Sequence, residues 1–110
     1  MTDQIKMLIF SIEERLIMRR WERMDNAFTL YFLPTKSPGD IGEVRRGDST
    51  LLVYATLKYN VFIKQELSYL TLIDEEKEEV TEYRILELNI HKGVFSLETF
   101  QGASVHFSLK

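Results

Sequence analysis

Residues 86–109 read LELNIHKGVFSLETFQGASVHFSL, and the fold of the chain turns on how this stretch is paired. Apolar and polar side chains alternate along it, the period-two pattern of strands with one covered face. Lys92-Gly93 offers a two-residue hairpin turn in which Gly93 can take a positive φ. That turn sets His91 opposite Val94 and aligns Leu86, Leu88 and Ile90 with Thr99, Leu97 and Phe95. A second turn at Gln101-Gly102-Ala103 places Phe100 against Ser104, bringing Val105, Phe107 and Leu109 beside the same three residues. A one-residue slip would bury His106 opposite Leu97 and turn every side chain to the wrong face.

Working back toward the N-terminus, Asp74 to Glu79 is an acidic run whose charges repel one another and suit a solvated loop. Residues 67–73 are rich in Leu, Tyr, Thr and Ile and read as a strand, although Ile63, Leu67 and Leu70 also fit helical spacing. Residues 50–64 carry Leu51, Val53, Ala55, Leu57, Tyr59, Val61 and Ile63 at every second position, which predicts a long strand bent or bulged near Asn60. Pro34 to Ser49 is turn-rich, with Pro38-Gly39, Gly42 and Gly47, and has room for a short strand at 42–46. Residues 27–33 read as a strand with Phe28, Leu30 and Phe32 on one face.

The remaining segment, residues 3–24, reads as a helix capped by Thr2, with Asp3 at the positive end of its dipole. Ile5, Leu8, Ile9, Ile12 and Leu16 form a stripe that faces the sheet. A second start is compatible with the same residues: Ser11 and Glu14 form a capping box, leaving 4–10 as a strand. The helix carries a further apolar set, Phe10, Ile17, Trp21 and Met24, rotated away from the first. One helix on one sheet does not need both sets, so the second is expected either to wrap into the core or to form a partner or dimer surface. Arg15, Arg19 and Arg23 recur every four residues as a basic stripe beside it, with a solvated, locally paired face as the plainer reading.

The expected fold is therefore α+β: a single domain over residues 1–110, with an N-terminal helix packed on an antiparallel β-meander of about five or six strands. The chain is 45% apolar and 28% charged, enough for one ordinary core. With no cysteine, disulfides, thiolate catalysis and Cys-based zinc sites are excluded. A cytoplasmic protein is expected, since an acidic residue follows Met1-Thr2 and no apolar run is long enough to span a bilayer. The net charge of −3 disfavours nucleic acid, and it divides into +2 over residues 1–64 and −5 over 65–110.

Chemistry-bearing patterns are few. No nucleophile elbow, phosphate-binding loop, dinucleotide fingerprint or EF-hand occurs, and Arg46-Gly47-Asp48 reads as a turn. The registers above put Glu87 opposite Glu98 and Glu98 opposite His106 on the outward face. Two carboxylates and an imidazole in one row are candidates for a divalent metal or an acid/base pair; the plainer reading is a polar sheet face in which His106 relieves two glutamates. No cofactor is expected. The leading expectation is a non-catalytic protein-binding module, such as a regulator, inhibitor, immunity-type or adaptor protein, acting on a protein partner or as a homodimer. Its contact residues would be Phe10, Ile17, Trp21, Met24, Arg15, Arg19 and Arg23. The alternatives are an enzyme using Glu87, Glu98 and His106, and a binder of a small apolar ligand between sheet and helix.

Overall fold

The computed structural model describes residues 2–25, 28–47 and 53–110. One helix, α1 (Asp3–Leu16), precedes eight strands: β1 (Arg20–Arg23), β2 (Thr29–Phe32), β3 (Gly42–Gly47), β4 (Val53–Lys64), β5 (Leu67–Asp74), β6 (Glu79–Asn89), β7 (Val94–Thr99) and β8 (Ser104–Leu109). Each strand pairs antiparallel with the next, and β8 returns to β1 through Trp21↔Leu109, Glu22↔Ser108 and Arg23↔Phe107. The meander is thus a closed barrel rather than an open sheet of five or six strands. Closure leaves no edge to template pairing with another chain.

The N-terminal segment accounts for the difference. Thr2 caps α1 through Oγ1, which accepts from Ile5 N, but the helix stops at Leu16 instead of running to residue 24. Ile17 is extended, and Met18 takes a φ of 58°, turning the chain so that Met18 N donates to Phe32 O. The two apolar sets that one straight helix could not bury together are shared between two elements. Ile9, Ile12 and Leu16 pack from the helix, and Trp21 enters the barrel from β1. The start at Ser11, with a strand over 4–10, does not form.

Along β6 to β8 the expected faces hold for β7 and β8, but the registers are displaced. Asn89 Oδ1 accepts from His91 N and Lys92 N at 3.0 Å each, so the first turn widens to Ile90–Gly93 and Asn89, not His91, pairs with Val94. The β7–β8 pairs are Phe95↔Phe107, Ser96↔His106 and Leu97↔Val105, two residues from the expected alignment. A slip of two preserves which face each side chain occupies. In β6 a bulge between Ile85 and Glu87 lets Leu86 stand 41% exposed while Tyr83 and Ile85 join the core side. The long strand β4 is regular at Asn60; the irregularity lies instead at Arg46/Gly47 of β3. Segment 67–73 is a strand, joined to β4 by Gln65 and Glu66, both at positive φ. Expectations for residues 26, 27 and 48–52, Leu51 and Asp48 among them, fall outside the described residues.

The interior is filled by side chains, as an eight-stranded barrel allows. Trp21 meets Phe95 at 5.4 Å between ring centroids, Phe32 meets Tyr59 edge-on at 4.9 Å, and Phe95 stacks on Phe107 at 5.5 Å. Gly42 makes room for one of these rings: a Cβ there would lie 2.8 Å from Tyr59 Cε1. Tyr59 Oη donates to Leu33 O at 2.6 Å, which keeps its buried hydroxyl bonded. Helix α1 packs against β4 and β6 and covers one end of the barrel, tied there by Arg15 Nη1 donating to Leu88 O at 2.9 Å. The other end carries the carboxyl ends of β1, β3, β5 and β7.

Candidate functional site

The expected contact residues do not form one surface, because the helix that was to carry them ends early. Trp21 is fully buried, and its Nε1 donates to Leu16 O at 3.1 Å, closing the last turn of α1 from inside the core. Ile17 is half-buried beside the core, while Phe10 and Met24 are 56% and 67% exposed on different elements. The three arginines likewise part. Arg15 bonds Ser11 O and Leu88 O, Arg19 Nη1 donates to the carbonyls of Glu14, Arg15 and Ile17, and Arg23 points into the far end of the barrel. Arg19 so caps the carbonyls that the helix end leaves open.

The Glu87, Glu98 and His106 row is also divided. With the bulge and the wider turn, Glu87 pairs with Ser96 and Ser96 with His106, whose Nδ1 lies 2.9 Å from Ser96 Oγ. Glu98 moves to the neighbouring row, opposite Arg84 and bonded to it at 3.3 Å. Among the described residues no group of three metal-ligating side chains of the His, Cys, Asp or Glu type is gathered. His106 is exposed on the outer face, as its alternation requires.

Among the concave regions of the described residues, two lie at opposite ends of the barrel. Beside α1, a groove of about 310 Å³ runs between the helix and the segment after β2, lined by Phe10, Glu13, Ile17, Pro34, Lys36 and Pro38 among others. Glu13 is 5% exposed at its base, accepting from Thr35 Oγ1 at 3.5 Å and Gly39 N at 3.4 Å. Burial raises its carboxyl above the ordinary value; the two hydrogen bonds oppose the rise and nearby Asp40 adds to it. The remaining space between α1 and the barrel, where the sequence allows an apolar ligand, is taken up by Ile9, Ile12 and Leu16.

At the opposite end the described residues form a second concavity. A cavity of about 220 Å³ is lined by Arg23, Phe28 and Leu30 of the β1–β2 side, Arg46 and Leu57 of β3 and β4, and Leu72, Asp74, Glu79, Thr81 and Tyr83 of β5 and β6. Arg46 stands 4.3 Å from the Phe28 ring centroid and Arg23 5.4 Å from it. The Tyr83 hydroxyl is raised by burial and drawn back by the two arginines, whose charges reach it. The sequence places Arg23 on the helix and Arg46 either in the Arg-Gly-Asp turn or at the end of a short strand over 42–46, and the strand is what forms, as β3. Their signal lay in strand parity, since each follows a buried residue, Trp21 or Val44, by two positions. Helices in the described residues are too short to cross a membrane. Compared with known proteins, the chain matches no family model, no curated protein and no solved structure.

Proposed function

We propose that this chain is a non-catalytic protein-binding module whose contact surface is the outward side of α1, and that a second copy of the chain is its first occupant. The supporting observation is an apolar pair on the wrong side of the helix: Met7 is 72% exposed and Phe10 56%, while Leu8, expected to face the sheet, stands 50% exposed at the flank of the buried side. At about 100° per residue, Met7 projects directly away from the buried Ile5–Leu16 side, with Phe10 about 60° from it. Exposed side chains of this size grouped beside an apolar groove are the mark of an interaction site.

The charges flanking the set favour self-association. In an antiparallel crossing centred on Phe10, Lys6 of one copy faces Glu14 of the second copy, and the same contact recurs across the two-fold axis. Both residues are exposed in the single chain. Light scattering on the wild type is expected to return a dimer mass at micromolar concentration. Lys6→Glu should give a monomer, and Lys6→Glu with Glu14→Lys should restore the dimer. Met7→Glu with Phe10→Glu should also give a monomer that still unfolds cooperatively, since neither side chain contributes to the core, with its melting lowered only by the lost association. A monomeric wild type, or a mass that none of these substitutions moves, sinks the proposal.

A further inference from the structure

We propose that the cavity at the end of the barrel away from the helix binds a small organic anion. Arg23, Arg46 and Tyr83 hold its acid group, and Leu30, Leu57 and Leu72 receive its apolar body. Strand alternation is the first ground. Arg23 and Arg46 occupy inward positions, two residues beyond Trp21 and Val44, where the pattern calls for apolar side chains. Both stay partly exposed at the rim, Arg23's side chain by 34%, so each places a charge against the cavity while keeping contact with solvent.

The second ground is how the two guanidinium groups are held. Both lie over the ring of Phe28, at 5.4 and 4.3 Å from its centroid. A cation on an aromatic face is fixed in place without using its in-plane N–H donors. Arg23 pairs through Nε with Asp25 Oδ2 at 3.0 Å, a contact on one edge of its guanidinium. Among the described residues, no ion pair links Arg23 or Arg46 to Asp74 or Glu79 across the cavity. The arrangement presents a planar fork of donors, which suits a carboxylate or other oxyanion. Tyr83, half-buried in the cavity wall, adds a hydroxyl donor on the β6 side.

Size and charge narrow the class. At about 220 Å³ the cavity is smaller than the ~300–1,000 Å³ of sites that take drug-sized ligands, so a single ring bearing one acid group is the scale of its occupant. Asp74 and Glu79 line the facing wall and repel a polyanion, which selects for a single negative charge. Asp74 is further engaged through Oδ1, which accepts from Lys77 N at 3.1 Å.

Calorimetric titration of the full chain with benzoate, benzamide, benzylammonium and inorganic phosphate tests the proposal. Benzoate is expected to bind at one site, with benzamide weaker by about tenfold or more. Inorganic phosphate should be weaker as well, since it leaves the leucine floor uncovered, and benzylammonium should not bind. Arg46→Gln and Arg23→Gln should each weaken benzoate by about tenfold. Arg46→Lys, which retains charge but loses the fork, should lose part of that affinity. Phe28→Leu, a positioning variant, should weaken benzoate while preserving both charges. Melting of each variant without ligand verifies its fold, and Arg46→Lys serves if a glutamine variant does not fold. Benzoate failing to bind at millimolar concentration overturns the proposal. So does equal binding of benzoate and benzamide, phosphate matching benzoate, or benzoate affinity unmoved by both Arg46→Lys and Phe28→Leu.

Discussion

Glu13 is a carboxylate whose neighbours do not fully replace the water it loses. Its two hydrogen bonds are long, 3.5 and 3.4 Å, and its side chain is 5% exposed, so desolvation prevails and the folded chain binds its proton more readily than the unfolded chain does. The direction for stability follows from linkage. Between the ordinary carboxyl value of 4.5 and the raised folded value, the native state holds the extra proton. The residue's contribution to stability therefore declines as pH rises through that interval and stays at its lower level above it. Glu13→Gln removes this dependence. Denaturant titrations are expected to show the variant gaining on the wild type as pH rises from 4 to neutrality, then holding a constant difference; a difference independent of pH across that range would contradict the account. The helical position of Glu13 was legible in the sequence, but its burial was not, because the residues that cover it, Thr35 and Gly39, come from a loop more than twenty positions away.

Among the elements, local pattern and long-range pairing contributed unequally. Strands β7 and β8 were legible because their alternation is strict and their turn residues are explicit. Beside the first turn the register missed by two because Asn89 captures two backbone N–H groups. At the second it missed by two because Thr99 pairs with Ala103, its N–H donating to Ala103 O and its Oγ1 accepting from Ala103 N. Strand β1 was illegible. Its four residues, Arg20–Arg23, have good helical composition and continue a helical spacing, and only pairing with β2 and with β8, more than eighty positions on, makes them extended. Tertiary context overrides propensity in such short segments. For the same reason the sequence leaves Trp21 open between the core, where it lies, and a partner surface, and Arg23 and Arg46 could not be seen to share a cavity. The β4–β5 turn shows the same thing on the scale of two residues, a local preference overruled. Gln65 and Glu66 sit at φ 51° and 67°, a left-handed pair that side chains with a Cβ resist. Replacing them with Asn-Gly, which suits a turn with both central residues at positive φ, is expected to stabilise the protein by about 1 kcal/mol. A melting temperature that stays level or falls would show that the two native side chains are making contacts that offset the backbone strain.

At the scale of the whole molecule, closure joins the first strand to the last. Arg20, where β1 begins, lies beside Lys110, which follows β8 and donates its N–H to Arg20 O at 3.0 Å. A load applied through the two ends of this chain, once α1 has let go, therefore falls on one extremity of the β1–β8 seam. In an antiparallel pair the cross-strand bonds lie perpendicular to the strands. Tension entering from that extremity opens them one after another like a zip, instead of shearing them all at once. Single-molecule pulling should find this barrel mechanically soft for its degree of closure. A handle moved from residue 110 to the β6–β7 turn would load other strands and is expected to require greater force.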